Sequence, residues 1–151
     1  MSDASVRNYI YKKLKLTDVR KLVRENTGWD AAQLAAAEHW YRNFLWLAYV
    51  NRASRSAIGI ETHADRFWHA HILDTEDYAK VCQAILGRKG FIHHKPVGKK
   101  AATSPQLLKR TTSAYEKEFP NEVPPQFPGV RARGRAVRPF EIPCFFHIIF
   151  R

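Results

Sequence analysis

Apolar residues recur along this chain at three- and four-residue steps far more than in strict alternation, and that period predicts helices. The strongest case runs through Leu34, Ala37, Tyr41, Phe44, Leu45 and Ala48, a broad apolar face about five turns long that marks a scaffold helix. Asp30 caps it, Gln33 three residues on reaches back to the cap, and Trp29 ahead of the cap is placed to staple onto Leu34. A shorter helix is expected over 17–26, with Thr17 as cap, Leu22 and Val23 as apolar positions and Gly28 as terminator. Residues 51–59 are small and polar and read as a loop. Two capping boxes then follow in succession. Thr62 with Asp65 opens a helix of about ten residues, and Asp74 with Asp77 opens another that carries Tyr78, Val81, Cys82, Ile85 and Leu86 and stops at Gly87.

Residues 87–103 contain three glycines and one proline and read as an ordered loop pinned by Phe91 and Ile92. Ser104 with Pro105 at the first helical position starts a last helix, which runs to Phe119 and ends at Pro120. From 120 to 143 there are six prolines and the basic string RARGRAVR, so this stretch should be extended. The closing CFFHIIF fits a strand or a segment laid on the core. The sum is an all-α fold: a compact bundle of four or five helices in a single domain over 1–128, with motif core 61–98, and a basic, proline-rich, irregular C-terminal arm over 129–151.

Composition narrows the class. The chain has 151 residues, 45% of them apolar, enough for one core and too many for disorder. No apolar run approaches the roughly 18 residues needed to cross a bilayer, so no membrane partner is expected. The N-terminus lacks the apolar stretch of a secretory signal, and the two cysteines, Cys82 and Cys144, are too few for a disulfide framework; both point to a cytoplasmic address. Net charge is +11, distributed as +5 over 1–60, 0 over 61–98 and +6 over 99–151. The positive charge therefore lies in the flanks and not around the chemistry-bearing middle.

That middle is rich in imidazole. Of seven histidines, four cluster as His69, His71, His93 and His94. Imidazole is the commonest metal ligand, and an ion needs two or three such groups from different parts of the chain. On a helix, Asp65 and His69 lie about 40° apart and share a face with Trp68 and Ile72, whereas His71 points about 200° away from His69. As a strand, the segment would project both histidines from one side, but the flanking caps favour the helix. The expected site is thus Asp65 and His69 from the helix with His93 and His94 from the loop, and with His71, Trp68, Asp74, Tyr78 and Cys82 around it. Two histidines and a carboxylate with an open position suit Zn²⁺ with an activated water, or ferrous iron with sites for oxygen chemistry. The same residues also have a purely structural reading. Asp65 would be the third-position member of a capping box, His69 a buried imidazole on a carbonyl, and the loop histidines a cover for the core.

No serine elbow, phosphate-cradling glycine loop, HExxH or CxxC occurs. Cys82 lies on an apolar helix face and reads as a buried thiol. The four tryptophans read as core, and His39, His63 and His147 are isolated and receive no role.

The stretch YRNFL at 41–45, the motif D-x-x-W-H-x-H-I-L-D-T-x-x-Y-x-x-x-C-x-x-I-x-G at 65–87, F-I-H-H-x-P at 91–96 and T-x-x-x-Y-E-x-E-F at 111–119 resemble the glycine-rich domain-containing protein-like family. The likeness covers roughly residues 34–128. It implies a domain found in plants and bacteria whose plant members are linked to development and stress, some with a separate segment ascribed to RNA binding; it implies no reaction. The chain departs from the family pattern at Val81, at Val97 and Gly98, and in the additional Lys89 and Gly90.

Two functional classes follow. One is a metal-binding helical domain, a hydrolase or oxygenase, built on Asp65, His69, His93 and His94. The other is a non-enzymatic interaction module whose basic flanks meet nucleic acid or an acidic protein.

Overall fold

The computed structural model describes residues 2–54, 57–95, 105–123 and 145–147. Among these are six α-helices: α1 Asp3–Asn8, α2 Thr17–Thr27, α3 Ala31–Val50, α4 Thr62–Leu73, α5 Thr75–Leu86 and α6 Pro105–Glu118. Two short strands, β1 His93–Lys95 and β2 Phe145–His147, pair antiparallel. The architecture is all-α, as the hydrophobic period requires, with one more helix than expected.

The additional element is α1. Ser2 caps it by accepting a hydrogen bond from the Ser5 N–H, and the chain continues through a wider turn at Tyr9–Lys13, closed by Leu14 N–H donating to the Tyr9 carbonyl at 2.8 Å. Val6, Ile10 and Leu14 recur at four-residue steps and are all buried in the core. Arg42 of α3 fixes this segment by donating to the carbonyls of Ile10 and Leu14 while it pairs with Glu38 at 2.7 Å.

In α2, Thr17 is the first helical residue and not the cap. Leu16 takes the cap position because its side chain is drawn into the core. Gly28 closes the helix in the left-handed region at φ +68°, its N–H donating to the Arg24 carbonyl. The capping box of Asp30 and Gln33 at the start of α3 is complete in both directions. The expected face of α3, from Leu34 to Ala48, is buried, and so are Trp46, Leu47 and Tyr49. The second half of α3 is therefore enclosed on all sides, and α4 packs along it.

The start of α4 also differs by one residue from expectation. Glu61, not Thr62, is the cap: its carboxylate accepts from the N–H groups of His63 at 2.8 Å and Ala64 at 3.0 Å. Asp65 consequently sits at the fourth helical position, beyond the reach of a capping box. Asp74 ends α4 and caps α5, accepting from Asp77 N–H at 3.1 Å, so two helices meet there with no linker. The loop expected over 87–103 contains β1, whose register pairs His93 with His147, His94 with Phe146 and Lys95 with Phe145. Of the two readings of CFFHIIF, the strand is the one seen at 145–147. Ser104, Cys144 and the basic string of the arm lie outside the described residues. No described helix is long and apolar enough to cross a membrane.

Glu61 is buried and satisfies two helix-end N–H groups, so its replacement leaves both donors without an acceptor. Glu61→Ala should lower unfolding free energy by about 1–2 kcal/mol in urea titration, the range for loss of a helix cap.

Candidate metal centre

The site is assembled by three buried side chains that join the end of one helix to the beginning of a strand. Trp68 of α4 donates its indole N–H to the Tyr78 hydroxyl at 2.9 Å, and Tyr78 donates in turn to the Ile92 carbonyl at 2.6 Å. The Cys82 thiol lies beside Tyr78, buried in the same cluster. Ile92 is thereby held at its carbonyl, with its own side chain wholly buried. The chain reaches it through a turn in which Gly90 N–H donates to the Gly87 carbonyl. A Cβ at Gly90 would lie 2.1 Å from the Leu86 Cβ, so only glycine passes this close to α5.

Beyond Ile92 the backbone is extended, and successive side chains alternate in direction. His94 turns toward α4. Its ring centroid lies 4.8 Å from that of Trp68 and 4.5 Å from that of His69. His93 turns the other way and packs on Phe91 at 4.8 Å. The expected pair of loop histidines is thus split: His94 joins the group and His93 does not, because a strand cannot present neighbouring residues to one point.

Asp65, His69 and His94 offer ligand atoms that all lie within 4.8 Å of one another, the group of this kind among the described residues. The Nε2 atoms of His69 and His94 are 2.8 Å apart. Nδ1 of His69 stands 3.5 Å from the Asp65 carboxylate, one helical turn back. The two imidazoles therefore meet through their Nε2 atoms, with the Asp65 carboxylate close by. Burial lowers the pKa of each ring, and for His69 the neighbouring His94 and the Arg66 charge lower it further. Neutral rings with Nε2 lone pairs are the form in which imidazole binds metals. Asp65 is almost wholly buried, while the His69 side chain is 47% exposed, so the group opens to solvent on the His69 side.

His71 lies on the opposite side of α4, fully buried. Its Nδ1 is 2.7 Å from the Tyr41 hydroxyl of α3 and its Nε2 is 3.0 Å from the Asp77 carboxylate of α5. Burial lowers its pKa against the opposing pull of Asp77 and Asp74. The neutral ring satisfies every partner when Nε2–H donates to Asp77 and Nδ1 accepts from Tyr41. Tyr41 and Asp77 were not singled out from sequence. Tyr41 stands in the apolar face of α3, which conceals its hydroxyl, and Asp77 reads as a capping residue. Asp74 serves as a cap and does not approach the imidazole pair. Burial pushes the Cys82 thiol up, which keeps it protonated and suits it to packing and hydrogen bonding.

No family model, no curated protein and no solved structure matches this chain. What the site does must therefore be argued from its geometry.

Tyr78 supplies both an acceptor and a donor in a dry interior. Tyr78→Phe strands the Trp68 N–H and the Ile92 carbonyl, and should cost about 2–3 kcal/mol in chemical denaturation, as expected for buried polar groups that lose their partners.

Proposed function

We propose that this chain is a metal-binding helical domain in which Nε2 of His69, Nε2 of His94 and the Asp65 carboxylate hold one divalent ion of the zinc or ferrous type. The observation that carries this reading is the convergence of one ligand atom from each of Asp65, His69 and His94 within 4.8 Å, with the two Nε2 atoms 2.8 Å apart and the His69 side open to solvent. A tetrahedral ion with bonds of about 2.0–2.1 Å needs nitrogens roughly 3.3 Å apart, so the present 2.8 Å requires the rings to part by only about half an ångström.

Two imidazoles and a carboxylate form a borderline-soft ligand set that favours zinc or ferrous iron over calcium or magnesium. Three protein ligands leave a coordination position on the exposed His69 side, the arrangement of catalytic sites more than of closed structural ones. A bound ion of this kind supplies either an activated water for hydrolysis or open positions for oxygen chemistry. Around it the protein's own contributions are positional. Trp68 backs both rings, and the Ile92 anchor holds His94. The same motif residues carry the resemblance to the glycine-rich domain-containing protein-like family, which we propose as the chain's relatives, together with a cytoplasmic address.

Elemental analysis and isothermal titration with Zn²⁺ test the proposal. One equivalent should bind, His69→Ala and His94→Ala should each weaken binding by 10-fold or more, and His93→Ala should bind as wild type does. At zinc about 100-fold above the dissociation constant, wild-type unfolding free energy should rise by about 2.7 kcal/mol. Absence of binding to wild type, or equal losses in all three variants, would overturn the assignment.

A further inference from the structure

Outside the imidazole pair, α3 carries two more polar residues one turn apart, His39 and Asn43. Asn43 is 0% exposed, a position where an amide is costly unless fully hydrogen-bonded. Its Oδ1 accepts from the Tyr11 hydroxyl at 2.7 Å, and this fixes which way the amide faces. Its Nδ2 donates to the Tyr115 hydroxyl of α6 at 2.6 Å and to Oε2 of Glu122 at 3.0 Å. Tyr115 donates to the same Oε2 at 3.1 Å, and Nε2 of His39 stands 2.8 Å from it. Three donors from two helices thus converge on one carboxylate oxygen.

Glu122 belongs to the turn that leaves α6, where its N–H donates to the Phe119 carbonyl at 3.0 Å. Its side chain is only partly covered, with 36% exposure, so the receiving groups are preformed on the bundle while the ligand reaches them from its margin. Burial works against ionisation of this carboxyl, but the hydrogen bonds from His39, Tyr115 and Asn43 outweigh it and hold the group below the usual glutamate range. An amide, a phenol and an imidazole, with no Lys or Arg on that oxygen among the described residues, match a small singly charged anion better than a phosphate.

We propose that His39, Asn43 and Tyr115 form a carboxylate-binding site, separate from the metal centre, which Glu122 fills in cis and which an external monocarboxylate fills when the Glu122 side chain is removed. In the intact chain the site acts as a tie between the turn after α6 and α3.

Chemical rescue in the full chain tests this near neutral pH. Glu122→Ala should melt about 2–4 °C below wild type, the shift expected for a domain of this size on losing a contact of ordinary strength. Sodium acetate should restore at least half of that loss relative to sodium chloride at equal ionic strength. The same acetate should leave wild type unchanged, and should not restore His39→Ala/Glu122→Ala, in which a half-exposed donor is deleted with little risk to folding. In Glu122→Ala, acetate should also shift the His39 ring resonances in a saturable titration. Melting of Glu122→Ala at the wild-type temperature would overturn the proposal. So would equal responses to acetate and chloride, or equal rescue of the double variant.

Discussion

One hydroxyl organises the functional end of this molecule. A phenol can accept and donate at once, and Tyr78 does both between groups that have no access to water: it takes the Trp68 indole N–H and gives its own proton to the Ile92 carbonyl. Each of those groups would carry a desolvation cost if left alone, so the three are stable only as a set. Burial raises the phenol's pKa far above neutrality, which keeps the donated proton in place across the physiological range. The consequence is geometric. The α4 helix, the α5 helix and the chain entering β1 are held at one point, two residues before His94, and the His94 ring is set against Trp68 and His69.

The two histidines of α4 show how a helix separates structure from chemistry. His69 and His71 stand two positions apart, about 200° around the axis, and so cannot share an environment. His71 faces inward, where Tyr41 and Asp77 from flanking helices satisfy both ring nitrogens, and there it works as a polar tie across α3, α4 and α5. His69 faces the margin, next to Asp65 and His94, with nearly half its side chain in solvent. A ring saturated on both nitrogens within the core has no valence to offer an ion, whereas a ring that directs Nε2 toward a neighbouring imidazole does.

Most of the helical framework was legible in the chain, because caps and apolar spacing are local signals. Asp30 with Gln33, Asp74 before α5, Gly28 and the face from Leu34 to Ala48 all act within a few residues of themselves. α1 and the turn after it were hidden by the charges of Arg7, Lys12 and Lys13, although Val6, Ile10 and Leu14 keep a four-residue step beneath them. β1 was not legible for a different reason: a three-residue strand exists only through its partner, and that partner lies at 145–147. The same fact decides the site. In a loop His93 and His94 are equivalent, and only an extended backbone sends one to α4 and the other to Phe91. The cluster around Asn43 was illegible altogether, since its members come from the Tyr9–Lys13 turn, α3, α6 and the turn beyond α6.

The displaced cap of α4 shows how far a single residue carries. With Thr62 as cap, Asp65 would be the third helical residue and its carboxylate would bend back to the cap's own N–H. With Glu61 as cap, that task falls away: Ala64 holds the third position and Asp65 the fourth, its backbone N–H already donating to the Glu61 carbonyl at 2.8 Å. The Asp65 side chain then lies along the next turn, 3.5 Å from His69. Both carboxylates stay in the first turn of the helix or just ahead of it. The buried glutamate absorbs the end groups of the helix and leaves the side chain of the aspartate behind it to face the imidazole one turn on.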